Sequence, residues 1–167
     1  NGVLDPDIRV HAIGPAPEGF DARFSALRRR YAYRIADGPV DPLHAHSAPL
    51  DVDRMNEASA ALHGEHDFSA FCRERDGASA VRTLEEFSWV RSDTVVATVV
   101  ADAFCHSMVR FLVGAMLPVG EGAKPITWPQ AMLDAGMRPE GEPGFNLAPA
   151  KGLVLAEVAY PSAEHWG

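Results

Sequence analysis

The sequence predicts an α+β domain, a largely antiparallel sheet with helices packed on one face. Three observations lead there. Segments with a period of two are interleaved with segments at three- and four-residue spacing, without the strict β-α-β order of a parallel sheet. Residues 81–90 and 94–102 read as two strands around Arg91-Ser92-Asp93, a hairpin. The chain has 167 residues, 47% hydrophobic and 23% charged. That composition is ordinary for a globular protein, and the length suits one domain with a real core or two small lobes.

Residues 7–13 are expected to form a strand, with Ile8 and Val10 facing one way, broken by Gly14-Pro15-Ala16-Pro17. Residues 30–35 alternate Tyr31, Tyr33 and Ile35 against Arg30, Ala32 and Arg34, a strand with an aromatic face and a basic face. Asp37-Gly38-Pro39-Val40-Asp41-Pro42 predicts a loop. Asp51 can cap a helix carrying Val52, Met55, Ser59 and Leu62, with Gly64 as its stop. Phe68 and Phe71 should anchor a turn in the core, and residues 72–80 should form a loop. After the hairpin, residues 104–119 read as one helix. Thr127-Trp128-Pro129 opens another, with threonine as cap and proline in the first turn. Residues 138–149 form a loop, and 152–160 a closing strand.

Several chemistries are excluded or weakened. His63-Gly64-Glu65-His66 holds the H-x-E of zinc deaminases without the P-C-x-x-C half, and H-E-x-x-H is absent. His44-x-His46 and Cys105-His106 are equally thin, so no metal site is expected. No P-loop, dinucleotide fingerprint or serine elbow occurs. Cys72 and Cys105 have no C-x-x-C partner and are expected to be cytosolic thiols. No apolar run is long enough to span a membrane. A net charge of −8 argues against a general nucleic-acid binder. Its distribution matters more, since five arginines crowd the stretch from Arg23 to Arg34.

Two features call for chemistry. In the 104–119 helix, Phe104, Met108, Phe111, Leu112, Ala115 and Val119 form an apolar stripe, which other apolar residues extend almost all round. Arg110 stands in its middle, on one face with His106 and Gly114. A guanidinium does not lose its proton, so a buried one must meet a carboxylate, a phosphate or several carbonyls. A structural ion pair or a snorkelling side chain would satisfy the same pattern. The second feature is Arg28-Arg29-Arg30-Tyr31, where arginines could hold phosphates and a ring could stack on a base. A solvated arginine cluster beside core tyrosines is the alternative.

Four blocks together resemble the tRNA pseudouridine synthase A family. They are Phe20-Asp21-Ala22-Arg23-Phe24-Ser25-Ala26 with Arg29-Arg30-Tyr31-Ala32-Tyr33; Leu62-His63-Gly64-Glu65-His66-Asp67-Phe68-Ser69-Ala70-Phe71 with Val81-Arg82-Thr83; Ala103-Phe104-Cys105-His106-Ser107-Met108-Val109-Arg110 running to Gly114; and Gly152-Leu153-Val154-Leu155 ending in Tyr160-Pro161. The resemblance implies a pseudouridine synthase fold and isomerisation of uridine to pseudouridine in the anticodon stem-loop of tRNA, without metal or organic cofactor. It further implies a cytoplasmic homodimer whose RNA crosses both subunits.

The resemblance also implies roles. Tyr31 falls on the tyrosine that stacks on the target base, and Arg110 on the arginine that pairs with the catalytic aspartate. Arg23, Arg28, Arg29, Arg30 and His106 are the expected RNA contacts. The family's aspartate lies in a G-R-T-D-A-G type segment upstream, and no such segment occurs here. Residues 1–167 are therefore expected to be the C-terminal half of such an enzyme, inactive alone. A non-catalytic RNA-binding or dimerisation module is the alternative. The chain departs from the family at Asp21, where histidine is frequent. It also departs at Ser107, which replaces a second histidine, and at Phe111, where asparagine is common.

Overall fold

A computed structural model of the protein describes residues 2–36, 49–138 and 145–162. The predicted loop at 37–42 and the His44-x-His46 pair lie outside these residues. Among the described residues five strands form one antiparallel sheet: β1 (Arg28–Ile35), β2 (Gly64–Asp67), β3 (Val81–Arg91), β4 (Val95–Ala101) and β5 (Leu153–Ala159), in the order β2-β3-β4-β1-β5. The α-helices among the described residues are α1 (Val52–Ala60), α2 (Met108–Gly120) and α3 (Trp128–Ala135). The α+β prediction is borne out.

The core lies between one face of the sheet and the helices α1 and α2. Alternation along β4 buries Val95, Ala97, Val99 and Ala101. On β3, Leu84 and Phe87 both face inward although they are three residues apart. A bulge between Leu84 and Glu86 inserts the extra residue that makes this fit. From α1 come Met55 and Ala58, and from α2 come Met108, Leu112, Ala115, Met116 and Val119, all buried. The α2 sequence is apolar nearly all round because a helix walled on several sides has little solvent face.

The sequence predicts α1 well. Asp51 Oδ1 accepts from Arg54 N at 3.0 Å, the expected N-cap. Strand β2 was not anticipated, because Gly-Glu-His-Asp is short and lacks apolar alternation. Its shortness leaves the outer edge of β3 unpaired beyond Leu84, and side chains close that edge. His63 Nε2 accepts from Phe87 N at 3.0 Å, and Asn56 exchanges two bonds with the Trp89 backbone, at 2.8 and 2.9 Å. The zinc-like His63-Gly64-Glu65-His66 motif is thus edge protection, with His66 Nε2 against His63 O at 2.9 Å. Among the described residues no cluster of three potential metal ligands occurs.

Four expectations need correction. Residues 7–13 form no strand. Ile8, Val10 and Ile13 are exposed, so the alternation buries no apolar face against the sheet. The α2 helix starts at Met108, not at residue 104. Ser107 takes a left-handed conformation, φ 65°, and a non-helical lead-in precedes it, held by Arg73 N donating to His106 O at 2.9 Å. His106 therefore does not share a helical face with Arg110. Cys72 and Cys105 are not free thiols but a disulfide, with Cα atoms 5.7 Å apart. Spacing along the chain could not show this, since the fold brings the end of the 3-10 turn at 69–71 against the α2 lead-in. Thr127 makes no side-chain cap, although α3 begins beside it with Pro129 in its first turn.

The buried Trp89 indole donates to Ser59 Oγ at 2.8 Å, and Ser59 is the buried polar residue of α1. Ser59→Ala leaves that N–H without a partner. We expect a loss of about 1–3 kcal/mol of stability, read by urea unfolding with an unchanged m-value.

Candidate functional site

The site is built where β1, the start of α2 and the residues before β5 converge. Tyr31, Tyr33 and Ile35 point to one face of β1, toward α2. Tyr33 and Ile35 are buried, whereas Tyr31 stays partly exposed and meets Phe104 edge-on, 5.1 Å between ring centres at 89°. A register shift against β5 sits between Arg30 and Tyr31, which pair with Glu157 and Leu155. Phe104 comes from the α2 lead-in, whose next residue is the disulfide-linked Cys105.

Arg110 lies in the first turn of α2, half-buried. Its Nε donates to Ala148 O at 2.6 Å, and Ala148 N donates to Arg110 O at 3.2 Å. Among the described residues no carboxylate pairs with it. Residues 145–149 form a strap across α2, and small residues let it approach. A Cβ on Gly114 would fall 2.0 Å from Asn146 O. At the other end Tyr33 Oη donates to Pro149 O at 2.7 Å. Burial raises the Tyr33 phenol above its ordinary value of 10, while the Arg110 cation nearby acts the other way. The phenol stays protonated at neutral pH and keeps its donor role. Arg110 and Tyr33 thus hold the strap from two sides. Phe111 stacks on Phe145, 5.9 Å between centres, and closes the same region with apolar contact.

The other candidates separate into two groups. Arg29 and Arg30 are engaged within the fold. Arg29 donates to Asp102 O at 3.0 Å and Arg23 O at 2.6 Å, and Arg30 pairs with Glu86 at 2.9 Å and Glu157 at 3.4 Å. Arg28 is exposed on the first residue of β1. Arg23 and His106 border an open cavity of about 830 Å3, whose wall includes Phe104 and Cys105. The turn bearing Arg23 is fixed by Asp21 Oδ1, which accepts from Arg23 N and Phe24 N at 2.7 and 2.8 Å. These bonds, with a smaller contribution from the Arg23 charge, hold the exposed Asp21 carboxyl below its ordinary value.

Sequence reasoning missed the strap, Tyr33 as its anchor, and the arginines across the cavity. Only Gly114 carried a signal, as a glycine in an otherwise bulky helix. Two carboxylates near β3, Asp102 and Asp67, are engaged within the fold. Asp102 Oδ1 accepts from Thr83 N and Ala103 N, and Asp67 Oδ1 from Ser69 N. Among the described residues no helix is long and apolar enough to cross a membrane.

Comparison with known proteins bears on this arrangement. Residues 58–161 match the family model described as tRNA pseudouridine synthase. The chain is 52% identical over 171 residues to the tRNA pseudouridine synthase A of Streptomyces griseus, covering 96% of this chain and 59% of that protein. It is 55% identical over 170 residues to the protein of that name from Frankia casuarinae, covering 96% of this chain and 61% of the relative. With the protein of that name from Mycobacterium leprae the identity is 44% over 167 residues, covering 95% and 57%. The chain therefore spans well under two thirds of the length of these relatives. The family match covers more than half of the chain and includes α2 and its arginine, and the chain belongs to the tRNA pseudouridine synthase family.

Proposed function

We propose that this chain is the C-terminal half of a cytoplasmic, homodimeric enzyme that isomerises uridine to pseudouridine in the anticodon stem-loop of tRNA. The observation that carries this reading is Arg110. It is half-buried, one nitrogen is committed to a backbone carbonyl, and no carboxylate of the described chain meets it. A cation so placed calls for an acid. In this family the acid is the catalytic aspartate of a segment that this sequence does not contain.

The roles follow from the groups. With Nε bonded to Ala148 O, the two terminal nitrogens of Arg110 are left to form a fork with a carboxylate. A cation there keeps the carboxylate ionised and aimed. The reaction is an isomerisation in which no atom is gained or lost. A uridine is flipped from the RNA stack and attacked by the aspartate, its glycosidic bond breaks, the base turns, and a carbon–carbon bond to ribose forms. Tyr31, partly exposed and braced by Phe104, offers the flipped ring a face and excludes water from it. A non-catalytic RNA-binding module shares the surface but not the turnover, and activity of the full-length protein separates the two.

In the full-length enzyme Arg110→Ala should lower kcat about 10²–10³-fold, measured by tritium release from labelled tRNA uridine. The same variant should shift the acid limb of the pH–rate profile upward by about one to three units. Removing the cation raises the carboxyl pKa, so activity is lost at a higher pH. Normal turnover with an unmoved limb removes Arg110 from the reaction. Tyr31→Leu deletes a stacking face worth about 1–3 kcal/mol, so kcat/KM should fall by roughly 5- to 150-fold. The 167-residue chain alone should form no pseudouridine, and product from it would mean that a carboxylate such as Asp67 or Asp102 serves instead.

A further inference from the structure

The cavity beside Phe104 collects positive charge in an acidic chain. Arg23, Arg73, Arg75, Arg82 and Arg138 border it, with His106, against Asp67, Glu74 and Asp76. The whole chain carries a net charge of −8, so this local excess of arginine runs against the overall balance. One of the three acids is partly occupied, since Asp67 accepts from the backbone and hydroxyl of Ser69.

The arginines are placed in two ways. Arg138 is held rigidly. Its Nη1 donates to Cys72 O at 2.9 Å and its guanidinium carbon lies 4.3 Å from the Phe111 ring centre. Arg82 reaches the Val81 carbonyl through Nη1, and its buried Nε has no partner among the described residues. A buried N–H left unpaired is unfavourable and is rare in folded proteins. Arg73 and Arg75, on the loop between the 3-10 turn and β3, have no ion-pair partner among the described residues. Phe104, in the cavity wall, is also the ring that Tyr31 meets edge-on.

We propose that this cavity seats RNA backbone phosphates next to the nucleotide held at Tyr31, with Arg73, Arg75, Arg82 and Arg138 as the phosphate-binding residues. The inference rests on the reading that the enzyme acts on tRNA. Guanidinium forks match phosphate oxygens in pairs, and those of the exposed Arg73 and Arg75 have no ion-pair partner among the described residues. A base flipped onto Tyr31 brings its own flanking phosphates with it, and the cavity adjoins Tyr31 through Phe104. Charge placed here also answers how an acidic chain can hold RNA: the field is local, and the rest of the surface discourages indiscriminate binding.

The test measures tRNA binding by the full-length enzyme against salt, by filter retention, for wild type, Arg73→Ala/Arg75→Ala and Arg138→Ala. Arg73 and Arg75 are exposed, so the double variant should fold normally, as checked by thermal melting. The slope of log K against log salt should become shallower by about one for each arginine that meets a phosphate, hence by about two in the double variant. Its KM for tRNA should rise while kcat at saturating tRNA stays within about two-fold of wild type, since phosphate contacts give uniform binding. An unchanged slope and an unchanged KM in the double variant overturn the proposal. The slope is read on binding, so it judges the cavity separately from turnover. If the wild-type protein makes no pseudouridine, the functional reading fails, whatever the slope.

Discussion

The contact on which the site depends is the pair of bonds between Arg110 and Ala148. One runs from the guanidinium to the carbonyl and one from the amide back to the helix, so the strap is fixed to α2 at a single residue. Gly114 makes this close approach sterically feasible one turn further on, and Tyr33 fixes the next residue of the strap to β1. The arrangement ties the first turn of the buried helix to the sheet through one short segment. It also sets which nitrogens of Arg110 remain available. A guanidinium bonded through Nε has lost much of its freedom to rotate, so the acid proposed above would meet an oriented fork rather than a mobile charge.

Much of the fold was legible because local signals and burial agreed. The hairpin of β3 and β4, the alternating tyrosines of β1 and the Asp51 cap each rest on patterns that span few residues. What failed depended on distant partners. Residues 7–13 alternate like a strand, but the neighbours of β3 and β1 that form the sheet edges are β2 and β5. Phe104 keeps helical spacing with Met108 because a turn, closed by Met108 N on Cys105 O, imitates the helix that follows. The Cys72–Cys105 bond joins residues 33 positions apart, a pairing only tertiary structure makes visible. At the site, Arg110 stood out as a charge in a greasy helix, whereas the strap that holds it contains no residue of distinctive chemistry.

The arginine run of β1 shows how composition misleads about surface. Three consecutive arginines suggested a run that could hold phosphates, yet Arg29 ties the Arg23 turn to the end of β4 and Arg30 bridges the acids of two flanking strands. Alternation along a strand sends neighbours to opposite faces, so a charge run on a strand is divided rather than pooled. The positive charge gathers instead from four separate places in the sequence, where the Arg23 turn, the 73–79 loop, β3 and the end of α3 meet. The disulfide lies in the wall of that cavity and joins two of its borders.

The most direct measurement of the central claim is a crystal structure of the full-length protein. The account predicts an aspartate from outside these 167 residues with its carboxylate about 3 Å from the terminal nitrogens of Arg110, while Nε keeps its bond to Ala148. Terminal nitrogens that meet only water, or a carboxylate of this same chain, would contradict it.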